Sequence, residues 1–307
     1  MAGLRFLLGA IFAGQTRSPL LLLKVFQDLL LLLYHVHLLS LAPETDPDMW
    51  LLTMVYFAAF EGEKMGEIMV NILFPDGTNT PEFRKAHAAG TLAWWNHSKV
   101  QYTFKCVDTE TNEIIGMALG DILIQGRTEE ERKFQGVGWL EGENKERAEA
   151  VLKPLHEARE EIFAGRPHIY VHVIAVDPKH QGRKAGALWC QWGIELSNST
   201  GLPLYFEASP STYKLYEKMG YETLDRKIVH SAALMRTETD IEVPLMVKMP
   251  AAAGGATYKQ WAAAGFPAFS ELRKKAAEAA ALAAAAAAET AKGGVVTAVE
   301  VKEVATA

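Results

Sequence analysis

The sequence predicts an α/β fold of the α+β kind, with a mixed central sheet of about six to seven strands flanked by helices. Three observations carry this. Between His168 and Tyr221 the pattern switches from strand to helix to strand to helix. Upstream, residues 101–107 and 114–124 are two strand-like runs joined by the polar turn 108–113. Downstream, residues 221–229 and 241–249 read as a closing antiparallel pair. In the second of these, Ile241, Val243, Leu245, Val247 and Met249 alternate onto one face.

The chain is organised around its middle. Residues 169–176 form an apolar run rich in branched side chains, the signature of a buried strand. Asp177-Pro178 stops it, because proline donates nothing to a sheet ladder. Residues 187–199 then repeat apolar positions every three or four residues, as a helix does, and Gly201-Leu202-Pro203 ends them. Residues 204–208 read as a second strand. A strand, helix and strand in succession predict a parallel pair with a right-handed crossover.

The turn before that helix suggests chemistry. It holds Gln181, Gly182, Arg183, Lys184, Ala185, Gly186 and Ala187. A helix start presents unpaired N–H groups and the positive end of the dipole, a ready anion site. Two glycines and two basic side chains suit that role; an ordinary surface turn with a glycine at a helix start is the other reading.

Here the sequence resembles a family. Val176-Asp177-Pro178-Lys179-His180-Gln181, followed by Gly186-Ala187-Leu188, resembles the acetyl-CoA-binding motif V-x-P-x-x-Q/R-x-x-G-x-G/A of the GNAT N-acetyltransferases. Leu215-Tyr216-Glu217-Lys218-Met219-Gly220-Tyr221 matches the family's L-Y-x-x-x-G-F/Y helix end, in the right order and at the right separation. The chain is similar to fungal-type GNAT domain proteins over residues 36–249. One position departs: the first glycine of the loop falls at 184, where this chain has Lys184.

The resemblance implies the GNAT acyl-CoA N-acyltransferase fold, with acetyl-CoA as cosubstrate and a small-molecule or peptide amine as acceptor. It implies that the fourth strand bulges and turns the backbone N–H groups of Ile174, Ala175 and Val176 toward the thioester and pantetheine, as an oxyanion-type donor set. It places the pyrophosphate on Gln181 through Ala187, and the general acid at Tyr216, since a phenol can protonate a departing thiolate. Tyr216 packed against the cosubstrate without proton transfer is the alternative. Ser209 and Tyr213, between strand end and helix, are placed along the pantetheine channel. The competing functional reading is a GNAT-fold module that binds acyl-CoA or a protein partner without catalysis, which Lys184 keeps open.

The general base is not fixed by the motif. His172 is a candidate, because it sits on the strand leading to the bulge and histidine titrates near neutrality. A hydrogen-bonded core histidine is the competing reading; Glu207 and an ordered water stand beside it as bases.

Composition bounds the rest. Of 307 residues, 49% are hydrophobic and 22% charged, as in ordinary globular proteins. A formal net charge of −6 argues against nucleic acid as a partner. Cys106 and Cys190 lie in no metal-ligand spacing, which predicts a reducing, cytoplasmic setting and no metal site.

The domain reading is a hydrophobic extension over 1–34, a GNAT domain over 35–250, and an alanine-rich tail over 251–307. The extension is leucine-rich, but Lys24, Gln27 and Asp28 break any clean span of about 20 apolar residues. Two readings stand for it: a membrane- or organelle-directing segment, or an extension packed on the domain. Residues 36–41 read as the first strand. Asp46-Pro47 should start a helix to Phe60, followed by helices over 66–74 and from Thr80-Pro81 to about 96. Phe60, Met65, Met69 and Phe74 fall on the segment that walls the acceptor site in the family, although core packing would equally use them. Residues 125–146, rich in Glu and Gly, read as a solvated loop, with an insertion that acts as an acceptor lid as the alternative, and a helix follows over 146–164. Ser270 caps an alanine-rich helix that Gly293 should stop, with no wide apolar face and the remaining tail disordered.

Overall fold

The computed structural model describes the backbone of residues 36–40, 48–108 and 110–303, and side chains over 49–287 apart from 95 and 109. The leucine-rich segment 1–34 and the cap at Asp46-Pro47 lie outside the described residues.

In chain order the elements are β1 (Val36–Ser40), α1 (Asp48–Phe60), α2 (Lys64–Leu73), α3 (Pro81–His97), β2 (Gln101–Asp108), β3 (Ile114–Leu123), α4 (Gly142–Phe163), β4 (His168–Val176), α5 (Ala185–Thr200), β5 (Leu204–Glu207), α6 (Tyr213–Lys218), β6 (Glu222–His230), α7 (Ala232–Met235), β7 (Ile241–Lys248), α8 (Tyr258–Ala263) and α9 (Phe269–Glu303). Among the described residues seven strands form one sheet, in the order β1-β2-β3-β4-β5-β7-β6. Every neighbouring pair is antiparallel except β4 and β5, which run parallel as the crossover requires.

Local chemistry sets the helix ends. Glu63 accepts from Gly66 N at 2.6 Å and opens α2. Thr80 Oγ1 accepts from Phe83 N and opens α3, with Pro81 at its first position. Ala164 and Gly201 close α4 and α5 in the left-handed conformation.

Two layers of helix cover the sheet. On one face α5 packs Trp189, Trp192 and Leu196 against Phe104, Ile122, Phe206 and Met246. On the other, α1 packs Leu52 and Val55 on Met117 and Ala175, and α4 packs Ala158, Ile162 and Phe163 on Tyr205, Leu245 and Val247. The alternation read along β7 is observed, and because β7 lies between β5 and β6 its other face is buried as well, through Met246. Edge strand β6 loses its register to β7 between Thr223 and Lys227.

Three expectations are corrected. The charged stretch 125–146 is not a solvated loop throughout. Val137 is fully buried among Ile72, Ala148, Val151 and Met235, Arg127 and Arg132 both bind Glu160, and α4 begins at Gly142. A single apolar residue in a polar segment gives no periodic signal. The tail also packs beyond 250. Tyr258 donates to Ile162 O at 2.9 Å, Trp261 is buried, and Ala251 N donates to Asn198 Oδ1 at 2.7 Å. The last helix runs through Gly293 to Glu303; an interior glycine costs about 1 kcal/mol and ends a helix only by leaving it. Phe74, for which the sequence offered both core packing and an acceptor wall, packs against Phe57, Phe83, His87 and Trp139. Among the described residues no helix is long and apolar enough to cross a membrane.

Gly120 on β3 is where close approach demands glycine. A Cβ there would sit 2.8 Å from Tyr170 O of β4, a backbone atom that cannot swing away. Gly120→Ala should lower the unfolding free energy by about 1–3 kcal/mol in urea titration, and a change below about 0.5 kcal/mol would show that the two strands are not held at this spacing.

Candidate active site: a parted sheet beside a helix start

Strands β4 and β5 pair only at Ile169 with Leu204 and Tyr170 with Tyr205. Pairing of β4 with β3 continues to Val176. From Val171 onward, therefore, β4 keeps one bonded edge and presents the other to a cleft. The register explains the parting. Leu119 faces Val173 and Gly120 faces Val171, so His172 is an extra residue without a partner on β3. Such a bulge bends its strand and raises the local twist. The irregularity sits at His172, upstream of Ile174, Ala175 and Val176, which pair regularly with Ala118, Met117 and Gly116.

Behind the cleft lies an apolar cavity of about 30 Å³, room for about one water, lined in part by Val171, Ile174, Trp189, Cys190, Phe206 and Tyr216. Tyr216 stands edge-on to Phe206 and Tyr221 at 4.7 and 5.9 Å. Burial pushes its phenol up to about 12, so it keeps its proton. The structure thus brings Tyr216 and Ile174 to one cavity. Ser209 holds the turn into α6, its carbonyl accepting from Thr212 N and Tyr213 N. Tyr213 is half-buried beside the same core.

The loop before α5 is built for an anion. Asp177 caps a short turn over Pro178–His180 through Lys179 N at 2.9 Å. Gly182 takes φ 77°. The first bond along α5 runs from Leu188 N to Lys184 O, which leaves the N–H groups of Ala185, Gly186 and Ala187 without helical acceptors. A Cβ added at Gly182 or Gly186 would meet no atom within 4 Å, so the outer side of the loop is open. Gln181, Arg183 and Lys184 are exposed on it, whereas Ala185 is buried. Arg183 is already engaged: it binds Asp108 at 2.5 Å and His180 Nδ1 at 3.1 Å. The Glu110 backbone N–H, and then Arg183, hold the Asp108 carboxyl below its ordinary value. Free positive charge on the loop therefore comes from the N–H groups, the helix dipole, Lys179 and Lys184.

Lys184 adopts φ 68°, ψ 9°, the conformation glycine takes at no cost. The departure in sequence leaves the loop's backbone shape intact, at a strain of about 1 kcal/mol. These residues fit a diphosphate. Lys184→Gly should raise stability by about 1 kcal/mol in urea titration; a loss of stability would mean that the lysine side chain holds the loop.

On the sheet's other face a polar cluster borders the parted strands. His172 is exposed rather than a core histidine, and its Nε2 lies 2.9 Å from Asp121 Oδ2 on β3. The Tyr170 ring stands edge-on to His172 at 4.3 Å, and the Arg159 guanidinium of α4 lies 4.0 Å from the Tyr170 ring centre. Burial pushes the Glu207 carboxyl up while the charge of Arg159 pulls it down. Sequence reasoning missed Asp121, because nothing local marks it; only the register that sets Asp121 opposite Tyr170 brings it here.

Comparison with known proteins agrees with this geometry. The family model described as acetyltransferase (GNAT) family matches residues 63–221, more than half of the chain. Probable acyltransferase SID5 of Ajellomyces capsulatus is 28% identical over 137 residues, covering 45% of this chain and 95% of that one. An uncharacterized N-acetyltransferase of Schizosaccharomyces pombe is 33% identical over 55 residues, 18% of this chain and 23% of the relative. Among solved structures, an Aedes aegypti chain named as a candidate arylalkylamine N-acetyltransferase 7 is 14% identical, with a TM-score of 0.50 over 70% of this chain and 87% of its own. The matched stretch takes in both the parted strands and the loop that opens α5, and this chain belongs to the GNAT family of acetyltransferases.

Proposed function

We propose that the protein transfers the acetyl group of acetyl-CoA to a primary amine of a small molecule or peptide by direct attack. The observation that carries this is the bare edge of β4 from Val171 to Val176, lying beside the open N-terminus of α5. Acetyl-CoA supplies an acyl group already activated as a thioester, with a thiolate as leaving group. In this reading the N–H groups of Gln181 through Ala187 bind the diphosphate, with Lys179 and Lys184 adding charge. Backbone N–H groups on the free edge among Ile174, Ala175 and Val176 hold the thioester carbonyl. Ser209 and Tyr213 border the pantetheine.

Protons need a donor and an acceptor. Tyr216 holds a proton beside the cavity and gives it to the departing sulfur. A phenol pushed up to about 12 is a weaker acid than a free one, so it donates only to a basic partner such as a thiolate. His172 takes the proton that the amine releases as its lone pair forms the new C–N bond. Glu207 suits the base role less, since its burial disfavours the charged form. The two buried free cysteines fit a cytoplasmic setting. A second reading, a module that binds acyl-CoA without catalysis, is favoured by two features of the loop: Arg183 is bound to Asp108, and Lys184 replaces glycine.

Calorimetric titration of acetyl-CoA and CoA into the full chain, with an amine-acceptor screen, separates these. Micromolar binding with turnover is expected. Tyr216→Phe should bind within about 3-fold of the parent while kcat falls by about 10- to 100-fold. Binding without turnover on any amine selects the second reading. No binding at all removes the cosubstrate assignment and leaves only the fold.

A further inference from the structure

We propose that Asp121 is a positioning residue for His172, fixing the imidazole in the tautomer that leaves Nδ1 as the free base. The inference rests on the acetyltransferase reading above and goes beyond it, because it selects one nitrogen and names the residue that selects it.

The argument begins with hydrogen-bond chemistry. An ionised carboxylate only accepts. At 2.9 Å from Asp121 Oδ2, His172 Nε2 must therefore be the donor. A neutral imidazole carrying its proton on Nε2 has its lone pair on Nδ1. Among the described residues Nδ1 has no hydrogen-bond partner. Asp121 is in the state this requires. Burial alone would push its carboxyl up, but the hydrogen bond from His172, with the charge of Arg159 and a hydrogen bond from Gln101 beside it, holds it below the usual carboxylate value.

The arrangement is built into the fold. His172 is the unpaired residue of the β4 bulge, and Asp121 lies just beyond the Gly120–Val171 pair, opposite Tyr170. The Tyr170 ring fixes the imidazole from the side at 4.3 Å. The charged and titratable groups around His172 come from four elements: Asp121 from β3, Tyr170 from β4, Arg159 from α4 over the Tyr170 ring, and Glu207 from β5. Of these only Asp121 bonds the ring. When Nδ1 takes the amine proton, the ring becomes an imidazolium and Asp121 faces its charge. Asp121 itself takes no proton and touches no reacting atom. Orientation of this kind is what a carboxylate contributes to a serine hydrolase histidine.

The test uses the full chain, histidine labelled with ¹⁵N, and the amine that reacts fastest in a panel of arylalkylamines, polyamines and lysine peptides. Long-range ¹H–¹⁵N spectra of the parent should show the Nε2–H tautomer at His172. Asp121→Asn should shift His172 toward Nδ1–H or a mixture and lower kcat at least about 10-fold, with KM for the amine changed less than about 3-fold. Asp121→Glu should recover part of the rate. In the His172→Gln background, Asp121→Asn should cost little more, since the two residues act as one unit.

A parent that acetylates amines, with Asp121→Asn at full kcat or with an unaltered tautomer, overturns this inference alone. The same holds if Asp121→Asn costs as much in the His172→Gln background as in the parent, which would mark Asp121 as merely structural. A parent that binds acetyl-CoA and acetylates no amine overturns the enzymatic reading and this inference with it.

Discussion

The rest of the site depends on how β3 and β4 lie against each other. Gly120 lets the Tyr170 carbonyl come within a distance that any side chain would block. At that point β4 carries one residue more than β3, and the ladder resumes with Val173 facing Leu119. The extra residue cannot be absorbed within the plane of the sheet, so β4 bends away from β5. The bare edge, the cavity behind it and the exposure of His172 all follow from this one mismatch. A strand that stayed flat would go on pairing with β5 and leave no cleft between them. The ladder bonds forgone between β4 and β5 are the physical cost of the site, and the well-packed contacts of α1, α4 and α5 on the two faces offset it.

Much of this was legible in the sequence, for a physical reason. Strand and helix identity is a local property, and the apolar run at 169–176 or the alternation along Ile241 to Met249 needs no partner to be recognised. The loop at Gln181 through Ala187 is local too: its glycines and its place before a helix announce it. Lys184 shows the limit of composition. Its left-handed backbone is what the motif's glycine would adopt, so shape persists where residue type does not.

What escaped depends on pairing across long stretches of chain. Asp121 lies 51 residues before His172, and its role is set by a register that no local pattern encodes. The position of the bulge escaped in the same way, because the extra residue is defined only by what β3 places opposite. Val137 and Trp261 were missed because each is a lone apolar anchor in a segment whose average composition is polar or alanine-rich. Such anchors fix a loop or tail with one buried side chain and leave the surrounding sequence unconstrained.

The broken register of β6 bears on how copies of this chain meet one another. β6 forms one edge of the sheet, and an unbroken edge offers N–H and C=O groups to any passing strand. Here the ladder to β7 lapses between Thr223 and Lys227, and the gap carries Asp225 and Arg226, one charge of each sign. A strand that approached this edge would find neither a straight backbone nor an uncharged surface to pair with. The irregularity protects the folded protein from edge-to-edge aggregation on that side, leaving self-association to surfaces other than the sheet's own hydrogen bonds.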